Sequence, residues 1–525
     1  MLFSRSLLAT VPFIVSISAR PPFGGGASNS VVNSTTCNGK TYVYNELAGY
    51  GFIANNARDK FGDTIGGIGS SIAIDKLSWV RLPNNVYTGL LYALPDRGWN
   101  TEGTLNYQNR IQKFLITFTP NASATVANPS PPNIQFKYLD TILLTDPAGS
   151  PAVGLDGGLS GPYLTFPGYS FEFPSANYTG DGFGGAGEGG YRLVIDAEGL
   201  VLGNDATFWV SDEYGDFVYN FNQAGRMIGA IRPPDAFIPQ RNGAQSFSSD
   251  NAPRYNPALR PTPRNPVTGR ANNQGLEGLS TNPLGTKLYA LAQSALRQDS
   301  ASGNPTTRNA RLLVYDISGL NRRSPRLEAE YVVPLSNVMP GNPASNIARQ
   351  SEIHYISDTQ FLILARDSGA GRGQGASTTS IYRHVDVFDI SRATNIAGKS
   401  DATASSIAPG GVLLANTTAA QYCSWLDYNV NSQLNRFGVR NGGAQSDGLL
   451  NEKWESLAVV PINPALGGLD GNYYILSFSD NDFITKDGYL KGGEFRYSDS
   501  TGYSLDNQAL LFRVQLPRGS FPLLG

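Results

Sequence analysis

Short apolar runs recur along this chain in a fixed order. In RIQKFLITFTP (110–120), FVYNFNQAG (217–225), ARLLVYDISG (310–319), YRHVDVFDIS (382–391) and ALLFRVQLP (509–517), apolar and polar residues alternate with a period of two, which predicts half-buried strands. Two shorter apolar runs precede each of them, and in four cases the first opens on an acid. The pairs are EGLVL (198–202) with FWVSDEYG (208–215), EGLST (277–281) with LYALAQ (288–293), EIHYI (352–356) with FLILARDSG (361–369), and ESLAVV (455–460) with YYILSFSDND (473–482). A copy without the acid, GGIGSSIAI (66–74) with LYALPDRGWN (91–100), comes first.

Fourth runs follow in three of the copies: FKYLDTILL (136–144), RMIGAIRPP (226–234) and LEAEYVVPL (327–335). Four strands per unit in tandem predict an all-β fold, a β-propeller with five recognisable four-stranded blades. A sixth would have to lie within 147–195 or 395–451. The last copy lacks a fourth run, and TYVYNELAGYGFI (41–53) is placed to supply it, so that an N-terminal strand closes the last blade. The expected organisation is a leader over 1–19, an extension over 20–40 and one domain over 41–525. Long loop inserts at 147–195, 241–274 and 395–451 are expected over one face, and a helix is expected near SDGLLNEKWESLAV in the last of them.

Composition agrees with strands and turns: 59 Gly, 33 Pro, 26 Tyr and 25 Phe, with only 16% charged residues. With 40 basic and 42 acidic side chains the net charge is -2, so no global field draws the chain to nucleic acid or an anionic membrane. The N-terminus, MLFSRSLLATVPFIVSISARPP, has Arg5, an apolar run from Leu7 to Ile17, and small residues Ser18 and Ala19, the layout of a secretory signal peptide and too short a run to span a bilayer. Secretion would make the sequons at Asn33, Asn121, Asn177 and Asn416 glycan acceptors. It would also pair Cys37 with Cys423, the two cysteines of the chain.

In a propeller the first strand of each blade lines the central channel, so the acids that open those strands converge. Glu198, Glu277, Glu352 and Glu455 would ring the mouth, with Asp96, Asp212, Asp367 and Asp480 near them at the ends of second strands and Gln293 in the matching place of the third. Packed carboxylates cannot all stay ionised without a counter-charge, and a hard cation, Ca²⁺ above all, is the simplest one. The competing reading is structural, with each Glu held by backbone amides or by Arg97, Arg366 or Lys453. His354 and His384 are too few for a histidine metal site, no G-x-S-x-G elbow exists, and nothing in the sequence sets a serine beside either histidine. GDGFGGAGEGG follows no strand and opens no helix, as a dinucleotide site requires. Arginines 241, 254, 260, 264 and 270, with Arg366 and Arg372, are candidates for an anionic substrate.

LYALPDRG, DAEGLVL with FWVSDEYG, QGLEGLS with LYALAQ, and ESLAVV with SFSDND together resemble the "esterase-like activity of phytase" family, across about 66–517. The resemblance implies a propeller and hydrolysis of phosphate or carboxylic esters, and its matches fall on Asp96, Arg97, Glu198, Asp212, Glu213, Glu277, Glu455 and Asp480. The chain departs from the acid-first pattern at GGIG and at EIHYI. The expected protein is thus a secreted monomer acting on a small anionic or ester substrate, without nucleic acid or membrane insertion. Its metal ligands would be Glu198, Asp212, Glu277, Glu455, Asp96 and Asp480; its catalytic acids Glu198, Asp212 and Glu277; its substrate-binding residues Arg97 and Arg366. The alternatives are a Ca²⁺-dependent carboxylic esterase or lactonase, and a non-catalytic extracellular binding protein.

Overall fold

Most strands form three four-stranded antiparallel sheets and one ten-stranded sheet, whose two four-stranded runs, joined by a parallel pair, are counted here as the first and the fifth sheets. A computed structural model describes residues 31–301, 306–319 and 325–522, so the leader expected over 1–19 lies outside the described residues. The first sheet holds Ser71–Ile74, Tyr87–Leu94, Arg110–Phe118 and Ile134–Leu143; the second Ala197–Leu202, Phe208–Asp212, Val218–Phe221 and Met227–Ile231. The third holds Leu276–Thr281, Lys287–Ala292, Asn309–Asp316 and Arg326–Pro334, and the fourth Arg349–Tyr355, Gln360–Arg366, Arg383–Asp389 and Gln421–Asp427. The fifth takes Ala458–Pro461, Asn472–Phe478 and Asn507–Gln515 from the C-terminal end and Lys40–Ile53 from the N-terminal end.

That last pairing is the closure predicted from TYVYNELAGYGFI: Tyr44 lies opposite Val514 and Ile53 opposite Asn507. The same strand reaches the first sheet through one parallel pair, Gly51 with Ile134. A Cβ at Gly51 would stand 2.4 Å from the Ile134 carbonyl oxygen, so only glycine permits the contact.

The five largest apolar cores lie between sheets. One joins the first and second (Leu94 and Ile111 with Val210 and Tyr219), one the second and third (Trp209 with Leu288 and Leu313), and one the third and fourth (Leu291 with Ile363). The remaining two join the fourth and fifth (Leu362 with Ile475) and the fifth and first (Leu476 with Leu91). Successive residues of one strand enter different cores: Leu362 and Leu364 face the fifth sheet, Phe361 and Ile363 the third. A strand buried on both faces reads as a continuous apolar run, which is why FLILA shows no alternation.

The Cys37–Cys423 disulfide is present, with Cα atoms 5.8 Å apart. Cys37 ends a strand, Asn33–Cys37, that hairpins onto Lys40–Ile53, so folded structure begins upstream of residue 41. Cys423 lies in the outer strand of the fourth sheet, and the bridge therefore ties the fourth sheet to the fifth rather than the fifth to the first.

No helix forms over SDGLLNEKWESLAV. The backbone there bonds to distant partners, Asn451 N–H to Gln508 Oε1 at 2.8 Å and Leu450 N–H to the Arg440 carbonyl at 3.0 Å, which displaces the i to i−4 ladder. Neither long interval holds a further four-stranded sheet: 147–195 has the pair Ser175–Tyr178 with Gly190–Leu193, and 395–451 supplies Gln421–Asp427. Residues 395–420 run along the outer edge of the third sheet, where Ile396 N–H bonds to Glu330 O and Ala420 N–H to Val332 O. No helix among the described residues is long and apolar enough to cross a membrane.

Candidate active site

First strands begin and second strands end at one end of the sheets, and the charged residues gather there. In the second, third and fourth sheets the register between first and second strand slips at the same place, within 197–200, 276–278 and 350–352. Such a bulge inserts one residue and re-aims its side chain. Glu198 and Glu277 sit in these bulges.

Around them lies one connected network. Asp196, Glu198 and Glu213 offer carboxylate oxygens all within 4.8 Å of one another, and so do Asp96, Asp480 and Asp482. Arg97 binds Asp196 at 2.7 Å. Lys453 lies 2.7 Å from Asp480, 2.8 Å from Asp482 and 3.6 Å from Glu455, and Arg366 clasps Glu452 and Glu455 together. Nine carboxylates thus gather around three cations that contact them, Arg97, Arg366 and Lys453, and Arg349 acts on Glu213 and Glu277 from beyond ion-pair distance. Glu213, Asp196, Glu277 and Glu455 are buried, whereas the Lys453 and Asp482 side chains keep 20% and 19% of their surface, so solvent reaches the network from that side.

Burial combined with like charge governs protonation here. Burial and then Glu277 push Glu198 well above the usual carboxylate range, and burial with Glu213 does the same for Glu277. Burial raises Asp196 to about 7 against the pull of Arg97. Burial and Asp480 raise Asp96, while burial raises Asp480 against Lys453. Among the described residues no N–H or hydroxyl group donates to either oxygen of Glu213, to Glu277 Oε2 or to Asp196 Oδ1, and Glu213 and Glu277 meet carboxyl to carboxyl. These buried acceptors without donors are the chemistry that a hard oxygen-binding cation satisfies.

The aspartates that end second strands have a local task. Asp96 Oδ1 accepts from Gly98 N–H, Asp212 Oδ1 from Tyr214 N–H, Asp367 Oδ1 from Gly369 N–H and Asp480 Oδ1 from Asp482 N–H, each two residues on, the Asx-turn geometry. Asp212 also accepts from Asp196 N–H and Gly215 N–H, so backbone amides engage both its oxygens. Asp96 and Asp480 keep contact with the network through Asp482.

Glu352 does not join the mouth. Aligned on the apolar residue that follows, it stands where the second and third sheets have Gly199 and Gly278, and a one-residue offset turns a strand side chain to the other face. Its oxygens accept from Ser71 Oγ–H at 2.6 Å, Leu279 N–H at 3.0 Å and Ile353 N–H at 2.9 Å. The acid-free first copy also has a steric cause: a Cβ at Gly69 would stand 2.1 Å from the Asp480 nitrogen.

The arginines of 241–274 hold the insert together. Arg241 donates to Ser246, Arg264 and Asn272, Arg270 to the carbonyls of Tyr214 and Phe247, and Arg260 and Arg264 bind Asp250. Arg254 binds Glu102 outside the insert, and the Arg260 and Arg264 side chains stay 41% and 65% exposed. His384 lies in the fourth sheet between Asp386 at 3.4 Å and Asp427 at 3.6 Å, and the fold sets Ser424 Oγ 3.3 Å from its Nδ1, a neighbour that chain order hides. Asn33, Asn177 and Asn416 are exposed and Asn121 half-buried.

Asp196, Arg349, Glu452 and Asp482 are missed by sequence reasoning about the site, and Glu213 enters it only through the family resemblance. The first has a signal: Asp196 and Glu198 stand two apart on a strand and share a face. Glu213 follows the turn aspartate, and only the turn shows where it points. Arg349 opens a strand and Glu452 precedes one, and periodicity defines neither strand's start.

A model of the phytase-like family, described as esterase-like activity of phytase, matches residues 81–483. A relative from Arthroderma benhamiae, an "Uncharacterized secreted protein", is 49% identical over 495 residues, covering 92% of this chain and 94% of the relative. Membership supports a phytase-like or esterase-like hydrolase. The chain belongs to the phytase-like family.

Proposed function

We propose that the five sheets form a five-bladed β-propeller and that the acids at its mouth hold a divalent cation, Ca²⁺, for metal-assisted hydrolysis of phosphate esters by an exported protein. Glu213 carries the reading. It is fully buried, both its oxygens lack an N–H or hydroxyl donor, and Asp196 and Glu198 each offer an oxygen within 4.8 Å. The residues that would hold the cation are Asp196, Glu198 and Glu213, with Glu277 and Glu455 beside them. Such a cation polarises a phosphoryl or carbonyl oxygen and acidifies a water.

The chain supplies the rest. Arg97 fixes Asp196 through a buried ion pair. Arg366 and Lys453 hold Glu455 between them and stand toward solvent, where a substrate enters. Glu277, whose proton burial and the Glu213 charge hold more tightly than usual, is the group suited to return a proton to the leaving oxygen. Export is supported by the relative's description, by the disulfide and by three exposed sequons.

A second reading, hydrolysis of a neutral carboxylic ester or lactone, is favoured by one observation: Arg97 and Arg366 are both committed to carboxylates. Phosphate release from phytate, and turnover of p-nitrophenyl acetate, each measured with Ca²⁺ and with a chelator, separate the two. Release of phosphate only with Ca²⁺ is expected. Silence toward both substrates in both conditions would overturn the hydrolase reading.

A further inference from the structure

Arg349 is a cation at the mouth without an anion. It opens the first strand of the fourth sheet directly opposite Arg366 in the second strand. Residues so opposed share a face, and like charges in that arrangement repel. Arg366 is compensated by Glu452 and Glu455. Arg349 is not: among the described residues no carboxylate lies within 4.0 Å of it, and its Nε is buried without a partner. The acids that act on its charge are Glu213 and Glu277, and both oxygens of Glu213 and Oε2 of Glu277 lack an N–H or hydroxyl donor. A guanidinium without an acceptor therefore faces carboxylate oxygens without such donors, and the two do not meet.

We infer that Arg349 binds an oxyanion of the substrate, a phosphate group before a carboxylate. The planar guanidinium fork matches two oxygens of such a group, and an anion there relieves the repulsion from Arg366. This rests on the proposed hydrolase site and adds the residue that selects an anionic substrate over a neutral ester.

The test is calorimetric titration of inorganic phosphate, with acetate as a second arm, into the whole protein in Ca²⁺ and in chelator. Arg349→Gln and Arg349→Lys are compared with the unaltered protein, and thermal midpoints confirm that each variant is folded. Phosphate binding weakened at least tenfold in Arg349→Gln and less in Arg349→Lys is expected. Acetate binding tighter than phosphate would overturn the preference for phosphate, and no binding of either, or equal binding to Arg349→Gln, would overturn the site. Phosphate binding that depends on Arg349 but not on Ca²⁺, in a protein that hydrolyses nothing, supports this site while contradicting the metal-assisted reading.

Discussion

The Ser71 hydroxyl donates to Glu352 Oε2 at 2.6 Å across 281 positions of sequence, joining the first strand of the first sheet to that of the fourth. Ser71 Oγ in turn accepts from Leu200 N–H of the second sheet, and Glu352 Oε1 accepts from Leu279 N–H of the third. One carboxylate and one hydroxyl thus connect four of the five first strands, where a line of apolar side chains would leave those backbone amides without acceptors.

This junction depends on pH. Burial raises Glu352 to about 8 despite three donors. A carboxyl whose folded value lies above its unfolded one, near 4.5, gives stability that is complete below that value and is lost as pH rises toward 8. Glu352→Gln is expected to be the less stable form at pH 5, because the amide nitrogen that replaces Oε2 cannot accept from Ser71. Its disadvantage should shrink by on the order of a few kcal/mol by pH 9. Denaturant unfolding at the two pH values checks this, and a pH-independent difference would contradict it.

Asp212 is expected to act through its turn. Asp212→Asn leaves a buried amide group facing the Gly215 N–H and should cost about 1–3 kcal/mol of stability, while Ca²⁺ affinity stays within about threefold of the unaltered protein. Loss of the ion at unchanged stability would make Asp212 a ligand instead.

The legible part of this protein is its repetition. Alternating third strands and the EGL openings reveal five sheets and a closing N-terminal strand, because those features depend on local periodicity. Gln421–Asp427 escapes notice since its YCSWL core is interrupted by a bulge against Val385–Val387 and follows a long insert. At the site, Glu198, Glu277 and Glu455 are visible from spacing. Glu352 is misplaced by one residue of phase, and the turn aspartates look like ligands because sequence shows an acid without the amides it caps. The commitment of Arg241 and Arg270 to backbone carbonyls is likewise a property of the fold.

Glu213→Gln should stabilise the metal-free protein. The amide supplies an N–H donor to the neighbouring carboxylates, so the thermal midpoint in chelator is expected to rise, corresponding to about 1–3 kcal/mol. The upward shift that Ca²⁺ gives the unaltered protein should disappear. A fall in chelator would show that Glu213 is already satisfied.

Reduction should weaken the packing of the fourth sheet against the fifth. The bridge spans 386 residues, and closing so long a loop restricts the unfolded chain by on the order of 4–5 kcal/mol. Cys37→Ser is expected to lower the thermal midpoint by several degrees and to leave ester turnover at room temperature unchanged. An unaltered midpoint would show that Lys40–Ile53 docks without the bridge.

Whether the buried acids at the mouth hold a cation is tested most directly by calorimetric titration of Ca²⁺ into metal-stripped protein. Saturable binding of at least one equivalent is expected, lost in Glu213→Gln and retained in Asp212→Asn. Absence of saturable binding, or equal binding in Glu213→Gln, would contradict it.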